Sequence, residues 1–71
     1  MIPLICTEPH MIRKMSWSVE FKEGALYFAN EIDEYGHYHF KYQAPYHFSV
    51  DGFYFEELEQ EEAKLANLLF N

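Results

Sequence analysis

The reactive inventory of this chain is four histidines, one cysteine and twelve carboxylates. His37 and His39 stand two apart, so on a strand both imidazoles project to one side. A loop at Ala44-Pro45-Tyr46 would make His39 and Asp51 cross-strand partners. The same face then carries His37, His39, Lys41, His47, Ser49 and Asp51. Three imidazoles and a carboxylate are donors that suit zinc. Cys6 and His10, spaced Cys-x3-His, could complete a different site with the His37/His39 pair. Zinc motifs, however, carry a second ligand pair at fixed spacing. This sequence has none, so the plainer reading is a polar sheet face, and no metal and no cofactor is expected.

Nucleophilic catalysis would need Cys6 or a serine beside a histidine, with an oxyanion segment to match. No Gly-rich elbow accompanies either, and Cys6 sits in an apolar run where it reads as a small hydrophobe. The three glycines fall in expected turns and form no phosphate-binding loop. A chain of 71 residues buries only about 60% of its unfolded surface. Little room remains for a core, a pocket and a catalytic constellation together, so an enzyme is not expected.

The carboxylates are the more distinctive chemistry. Residues 56–62 read Glu-Glu-Leu-Glu-Gln-Glu-Glu, with five acids in seven positions. Like charges three or four apart on a helix repel by a few tenths of a kcal/mol, roughly, per pair. Mixed Glu and Lys would serve an ordinary surface helix better. The plain alternative is a solvated face that keeps a small aromatic protein in solution. The more specific reading is that Glu56, Glu57, Glu59, Glu61 and Glu62 dock on a Lys/Arg surface or imitate phosphates, helped by Glu20, Glu31, Asp33 and Glu34. The formal net charge is −7. Beyond residue 19, eleven acids face only Lys22, Lys41 and Lys64. Such a body repels nucleic acid and anionic membranes and attracts a basic partner.

Aromatic residues make up 20% of the chain. Trp17, Phe21, Phe28, Tyr38, Phe40, Tyr42, Phe48 and Phe55 are the expected core. Tyr27, Tyr35, Tyr46, Phe53 and Tyr54 are left over. Tyrosine at a surface combines contact area with a hydrogen-bonding tip, so Tyr35, Tyr46 and Tyr54 join the candidate partner-binding residues. Without a basic groove they do not make a stacking platform for single-stranded nucleic acid.

These side chains need elements to hold them. Period-two alternation from Ser16 onward predicts strands over 15–22, 25–32, 37–43 and 47–50. Turns at Glu23-Gly24, Glu34-Tyr35-Gly36 and Ala44-Pro45-Tyr46 would join them with one face apolar throughout. The first turn pairs Phe21 with Leu26 and Val19 with Phe28. The second pairs Ile32 with Tyr38 and Asn30 with Phe40. The third pairs Tyr42 with Phe48 and Phe40 with Val50. Strong helix formers from Phe55 to Phe70 predict a C-terminal helix with Phe55, Leu58, Leu65, Ala66 and Leu69 as its apolar stripe. A tight turn at Asp51-Gly52, making 53–56 a fifth strand, is the alternative. Thr7-Glu8-Pro9 reads as the start of a helical turn over 8–14, and residues 2–6 as an edge strand or extended arm.

The expected architecture is therefore α+β: a four-stranded antiparallel β-meander packed against a C-terminal α-helix, as one small domain over residues 1–71. The single cysteine excludes an internal disulfide and favours a reducing compartment. Residues 1–6 lack the preceding basic region of a signal peptide, and no apolar run approaches membrane-spanning length. A cytoplasmic protein is expected. Its expected function is a small acidic inhibitor or modulator that occupies a basic, nucleic-acid-binding surface of a larger enzyme or defence complex. In size, acidity and aromatic content the chain resembles small phage proteins directed against host defence or DNA-processing enzymes. That resemblance is one of composition, carried by no motif. The alternative is a self-associating module, including a homodimer, or a small subunit of a larger assembly, built on open edges at strands 15–22 and 47–50.

Overall fold

The computed structural model describes residues 1–41 and 47–70, except the side chains of Ala66, Asn67, Leu69 and Phe70. The elements run β1 (Ile2–Cys6), β2 (His10–Arg13), β3 (Ser18–Phe21), β4 (Leu26–Ala29), β5 (Glu31–Ile32), β6 (His37–Lys41) and β7 (His47–Asp51). A 3-10 turn (Gly52–Tyr54), β8 (Phe55–Glu57) and α1 (Gln60–Phe70) complete the chain. The strands form three antiparallel sheets, β4-β1-β8, β2-β3 and β5-β6-β7, instead of one meander.

The reason lies at the N-terminus. Ile2–Cys6 is an interior strand, with β4 on one side and β8 on the other. It takes the place beside β4 that the alternation assigned to strand 15–22. Gly24 still turns the chain at φ 82°, and Ala25 N–H donates to Lys22 O at 3.1 Å. The turn then docks on β1, through Gly24 N–H to Cys6 O (2.8 Å) and Cys6 N–H to Ala25 O (3.0 Å). The expected pairs Phe21–Leu26 and Val19–Phe28 do not form.

Two further corrections follow from that insertion. β4 presents the opposite face: Ala29 is buried and Tyr27 packs on the core, whereas Phe28 is exposed. The Tyr27 hydroxyl accepts the Lys22 N–H at 2.8 Å, so the phenol enters the core without losing a partner for its polar end. Residues 8–14 contain a strand, not a helical turn. β2 pairs with β3 through Ile12↔Val19 and His10↔Phe21, and its half-buried His10 and Ile12 alternate with exposed Met11 and Arg13.

The C-terminal helix is shorter than expected. Phe55–Glu57 adds to the free edge of β1, with Cys6↔Phe55 and Leu4↔Glu57, and Leu58 N–H donates to Pro3 O at 2.9 Å. A sheet ladder outweighs helix propensity of a few tenths of a kcal/mol, roughly, per residue. Residues near the alternative fifth strand are thus extended, but against β1 and without a hairpin to β7. Once α1 begins at Gln60, Ala63 is buried and Leu65 is exposed among its described side chains. Ala66 and Leu69 of the expected stripe lie outside the described side chains. α1 packs on β1.

The 34–36 hairpin forms as expected, with Ile32↔Tyr38. β6 and β7 pair Tyr38↔Val50, His39↔Ser49 and Phe40↔Phe48, two residues from the expected register. A two-residue shift preserves the faces because side chains alternate with period two. The loop 44–46, Tyr42 and its expected pairing lie outside the described residues.

One aromatic cluster joins the sheets. Phe21 from β3 meets Tyr27 of β4 (4.8 Å), Phe40 of β6 (5.2 Å), Phe48 of β7 (6.1 Å) and Phe55 of β8 (5.1 Å). Leu4, Cys6 and Val50 complete the buried set with Ala29 and Tyr38. Among the described residues no helix is long and apolar enough to cross a membrane.

Candidate functional site

β6 and β7 alternate cleanly. Tyr38, Phe40, Phe48 and Val50 point into the core, so His37, His39, Lys41, His47, Ser49 and Asp51 share the outer face. His37 lies opposite Asp51, with Nε2 and Oδ2 3.9 Å apart. The expected His39–Asp51 partnership is therefore replaced by His37–Asp51. His39 has another carboxylate, Asp33, whose Oδ2 lies 2.7 Å from His39 Nε2. On the far side of the same ring, Nδ1 is 3.5 Å from His47 Nε2.

Asp33 is placed by its own turn. Its Oδ1 accepts Tyr35 N–H at 2.9 Å and His37 N–H at 3.0 Å, the local bonding by which Asp organises turns. Gly36, at φ 78°, supplies the left-handed residue that closes the hairpin. The His39 ring, with the two backbone N–H donors, holds the Asp33 carboxyl at about 2, against an ordinary 3.8. Neighbouring Glu31 is also held below its usual range, by Lys41 Nζ at 2.8 Å.

A carboxyl depressed in the folded state stabilises it fully above its unfolded value, and the benefit is lost as pH falls through the folded value. Between pH 3.8 and about 2, Asp33→Asn should flatten the fall in melting temperature relative to the unaltered chain. The amide oxygen can still accept the two turn N–H bonds, so the difference reports the charge. Circular dichroism melts at pH 5, 3 and 2 measure it, and parallel curves would exclude Asp33 as an acid-sensitive group.

The candidate partner-binding acids thus divide. Glu31 and Asp33 are engaged with Lys41 and His39 on the sheet face. Glu34 and Tyr35 stand exposed at the hairpin tip. Glu56 and Glu57 leave the expected helix for β8, while Glu61 and Glu62 occupy the first turn of α1, where negative charge is favoured by the helix dipole. Glu62 Oε1 accepts the Glu59 N–H at 3.4 Å, half of a capping box. Glu57 Oε2 accepts the Tyr38 hydroxyl at 3.2 Å. Burial, with that carboxylate beside it, pushes the Tyr38 phenol up. Glu56, Glu57, Glu59, Glu61 and Glu62 are all exposed, and none joins an ion pair among the described residues.

Tyr54 is not a free surface tip. Its ring stacks on His10 at 4.0 Å, and its carbonyl accepts the Thr7 N–H at 2.9 Å. Tyr46 lies outside the described residues. Cys6 is buried in β1 with its thiol donating to Glu8 O, and burial pushes that thiol up. The expected alternative grouping of Cys6 and His10 with His37 and His39 does not assemble; among the described residues, no set of three or more metal-binding side chains converges.

Comparison with protein-family models, curated proteins and solved structures finds no match. Leu65 belongs to the expected packed stripe of the helix, but it and Leu68 lie at the surface, and neither is among the expected partner-binding residues. Leu65 and Leu68 on α1 are 60% and 81% exposed, beside the acidic run; their i, i+3 spacing was the available signal. The β2–β3 hairpin end also gathers Arg13, Lys14 and Trp17 around an open depression.

Proposed function

We propose that the chain is a small acidic protein-binding inhibitor or modulator. Its partner surface is basic and normally holds nucleic acid on a larger enzyme or defence complex. The observation carrying this reading is the run Glu56, Glu57, Glu59, Glu61 and Glu62, exposed and without an ion pair among the described residues. Glu57 and Glu62 also serve the fold, through the Tyr38 hydroxyl and the Glu59 N–H, but no cation neutralises either charge among the described residues, as Lys41 does for Glu31. Leu65 and Leu68 add apolar area next to the charges, the mixture of steering charge and buried anchor that protein interfaces use.

The test begins with affinity capture from host lysate, washed at low and then high salt, with mass spectrometry of the eluate. Five Glu→Gln substitutions at 56, 57, 59, 61 and 62 then probe the captured partner. Glutamine keeps the acceptors used by Tyr38 and the Glu59 N–H, so the fold should persist by circular dichroism. Exposed charge pairs contribute about 0.2–1 kcal/mol each. The variant should therefore bind on the order of a hundredfold more weakly at low salt, with a flatter salt dependence. Equal affinity in the two proteins would remove the electrostatic reading.

The exposed Leu65/Leu68 pair also favours a second reading, a self-associating module. Light scattering distinguishes it: a dimer at low micromolar concentration that survives high salt supports self-association.

A further inference from the structure

We propose that His39 and His47 together bind one divalent transition-metal ion of the zinc or copper class, with Asp33 as the carboxylate that orients His39. The inference is independent of the acidic run and its partner.

It begins with the tautomer of His39. Asp33 Oδ1 is occupied by the Tyr35 and His37 N–H groups, which aims Oδ2 at His39 Nε2, 2.7 Å away. An ionised carboxylate only accepts, so Nε2 carries the hydrogen. In the neutral ring Nδ1 then holds a lone pair directed away from Asp33, towards His47. A carboxylate behind a histidine is the usual outer support of a metal-binding imidazole, because it sets the tautomer and raises ligand basicity.

The second nitrogen is already near its place. His39 Nδ1 and His47 Nε2 are 3.5 Å apart. That is long for an N–H···N hydrogen bond. Two nitrogens on a tetrahedral zinc, with bonds of about 2.0–2.1 Å, stand roughly 3.3–3.4 Å from each other. A small ring rotation closes the difference, and His47 is exposed enough to make it. Water would fill the remaining coordination positions of such a two-imidazole site. Imidazole pairs suit zinc, copper(II) and nickel(II) better than calcium or magnesium, which prefer oxygen.

Electrostatics support a cation there. With neutral imidazoles the immediate charges are Asp33, Glu31 and Lys41, two negative and one positive, on a chain of net charge −7. His37 lies on the same strand face but is directed to Asp51.

The test is a titration of the intact chain with zinc chloride, followed by histidine-ring nitrogen NMR and calorimetry. The free protein should show His39 as the Nε2–H tautomer. Zinc should shift His39 Nδ1 and His47 Nε2 at one equivalent and leave the His10 ring unmoved. His39→Ala and His47→Ala should each weaken binding at least tenfold. Asp33→Asn should weaken it by about tenfold or more with both ligands present. His47→Ala alters an exposed position outside the Asp33 turn, so its fold is checked by the same spectra. The proposal is overturned by equal affinity in folded His47→Ala, by zinc shifts centred on His10 or His37, or by no shift at millimolar zinc.

Discussion

Phe21→Ala is expected to lower stability by about 3–5 kcal/mol, the usual cost of deleting a buried phenylalanine. Phe21 is fully buried, and its ring touches Tyr27, Phe40, Phe48 and Phe55. Those partners come from strands of the other two sheets. The hydrogen-bond ladders hold each sheet together internally, so the aromatic cluster carries much of the cohesion between sheets. Native domains hold roughly 0.05–0.15 kcal/mol of stability per residue, so a chain this short has little reserve. Urea unfolding followed by far-ultraviolet circular dichroism measures the loss. Near-ultraviolet dichroism should weaken as well, because the cluster loses its central ring. Phe21→Leu, which retains most of the volume, should cost less. A loss below about 1 kcal/mol in the alanine variant would show that the sheets are joined elsewhere.

Gly52→Ala should be damaging, because Gly52 is the one of the three glycines where an added Cβ meets a close neighbour. A Cβ there would stand 2.7 Å from Gly36 O and 3.2 Å from Tyr38 Cε2. Gly36 O cannot easily retreat, because it accepts the Gly52 N–H at 2.9 Å and belongs to the hairpin closed by Asp33. Either the 3-10 turn moves from the hairpin or the buried Tyr38 ring shifts, at about 1–3 kcal/mol for overpacking. Gly24→Ala provides the contrast. Its Cβ would meet nothing within 4 Å, but φ is 82°, so its cost is backbone conformation alone, about 1–2 kcal/mol. Thermal melts of the two variants, with NMR of the Tyr38 ring, separate the mechanisms. Only Gly52→Ala should perturb Tyr38, and an unperturbed ring would refute the contact.

The legible parts of the fold were local. Alternation within His37–Lys41 and His47–Asp51 marked which of their side chains are buried, because a strand's faces depend on parity. The Glu34-Tyr35-Gly36 turn followed from the need for a left-handed residue, which Gly36 supplies. The Asp33 turn was also available, since Asp before a tight turn commonly bonds the backbone two residues on. The β6–β7 register escaped by two residues because parity does not distinguish registers that differ by two.

Partner choice was not legible. Ile2–Cys6 is apolar on both sides, as an interior strand can be, and periodicity does not say which strands flank it. Only the tertiary structure decided that β1 would sit between β4 and β8. That placement turned Tyr27 inward and Phe28 outward, and drew Phe55–Glu57 out of a segment of good helix formers. The candidate sites divide in the same way. By itself the sequence determined how many carboxylates and imidazoles the chain carries and, on β6 and β7, which face they take. The tertiary structure decided that Lys41 reaches Glu31, that Asp33 holds His39, and that five glutamates near α1 stand without ion pairs among the described residues. Charge belongs to a residue, whereas neutralisation depends on distances of a few ångströms that only the folded chain sets.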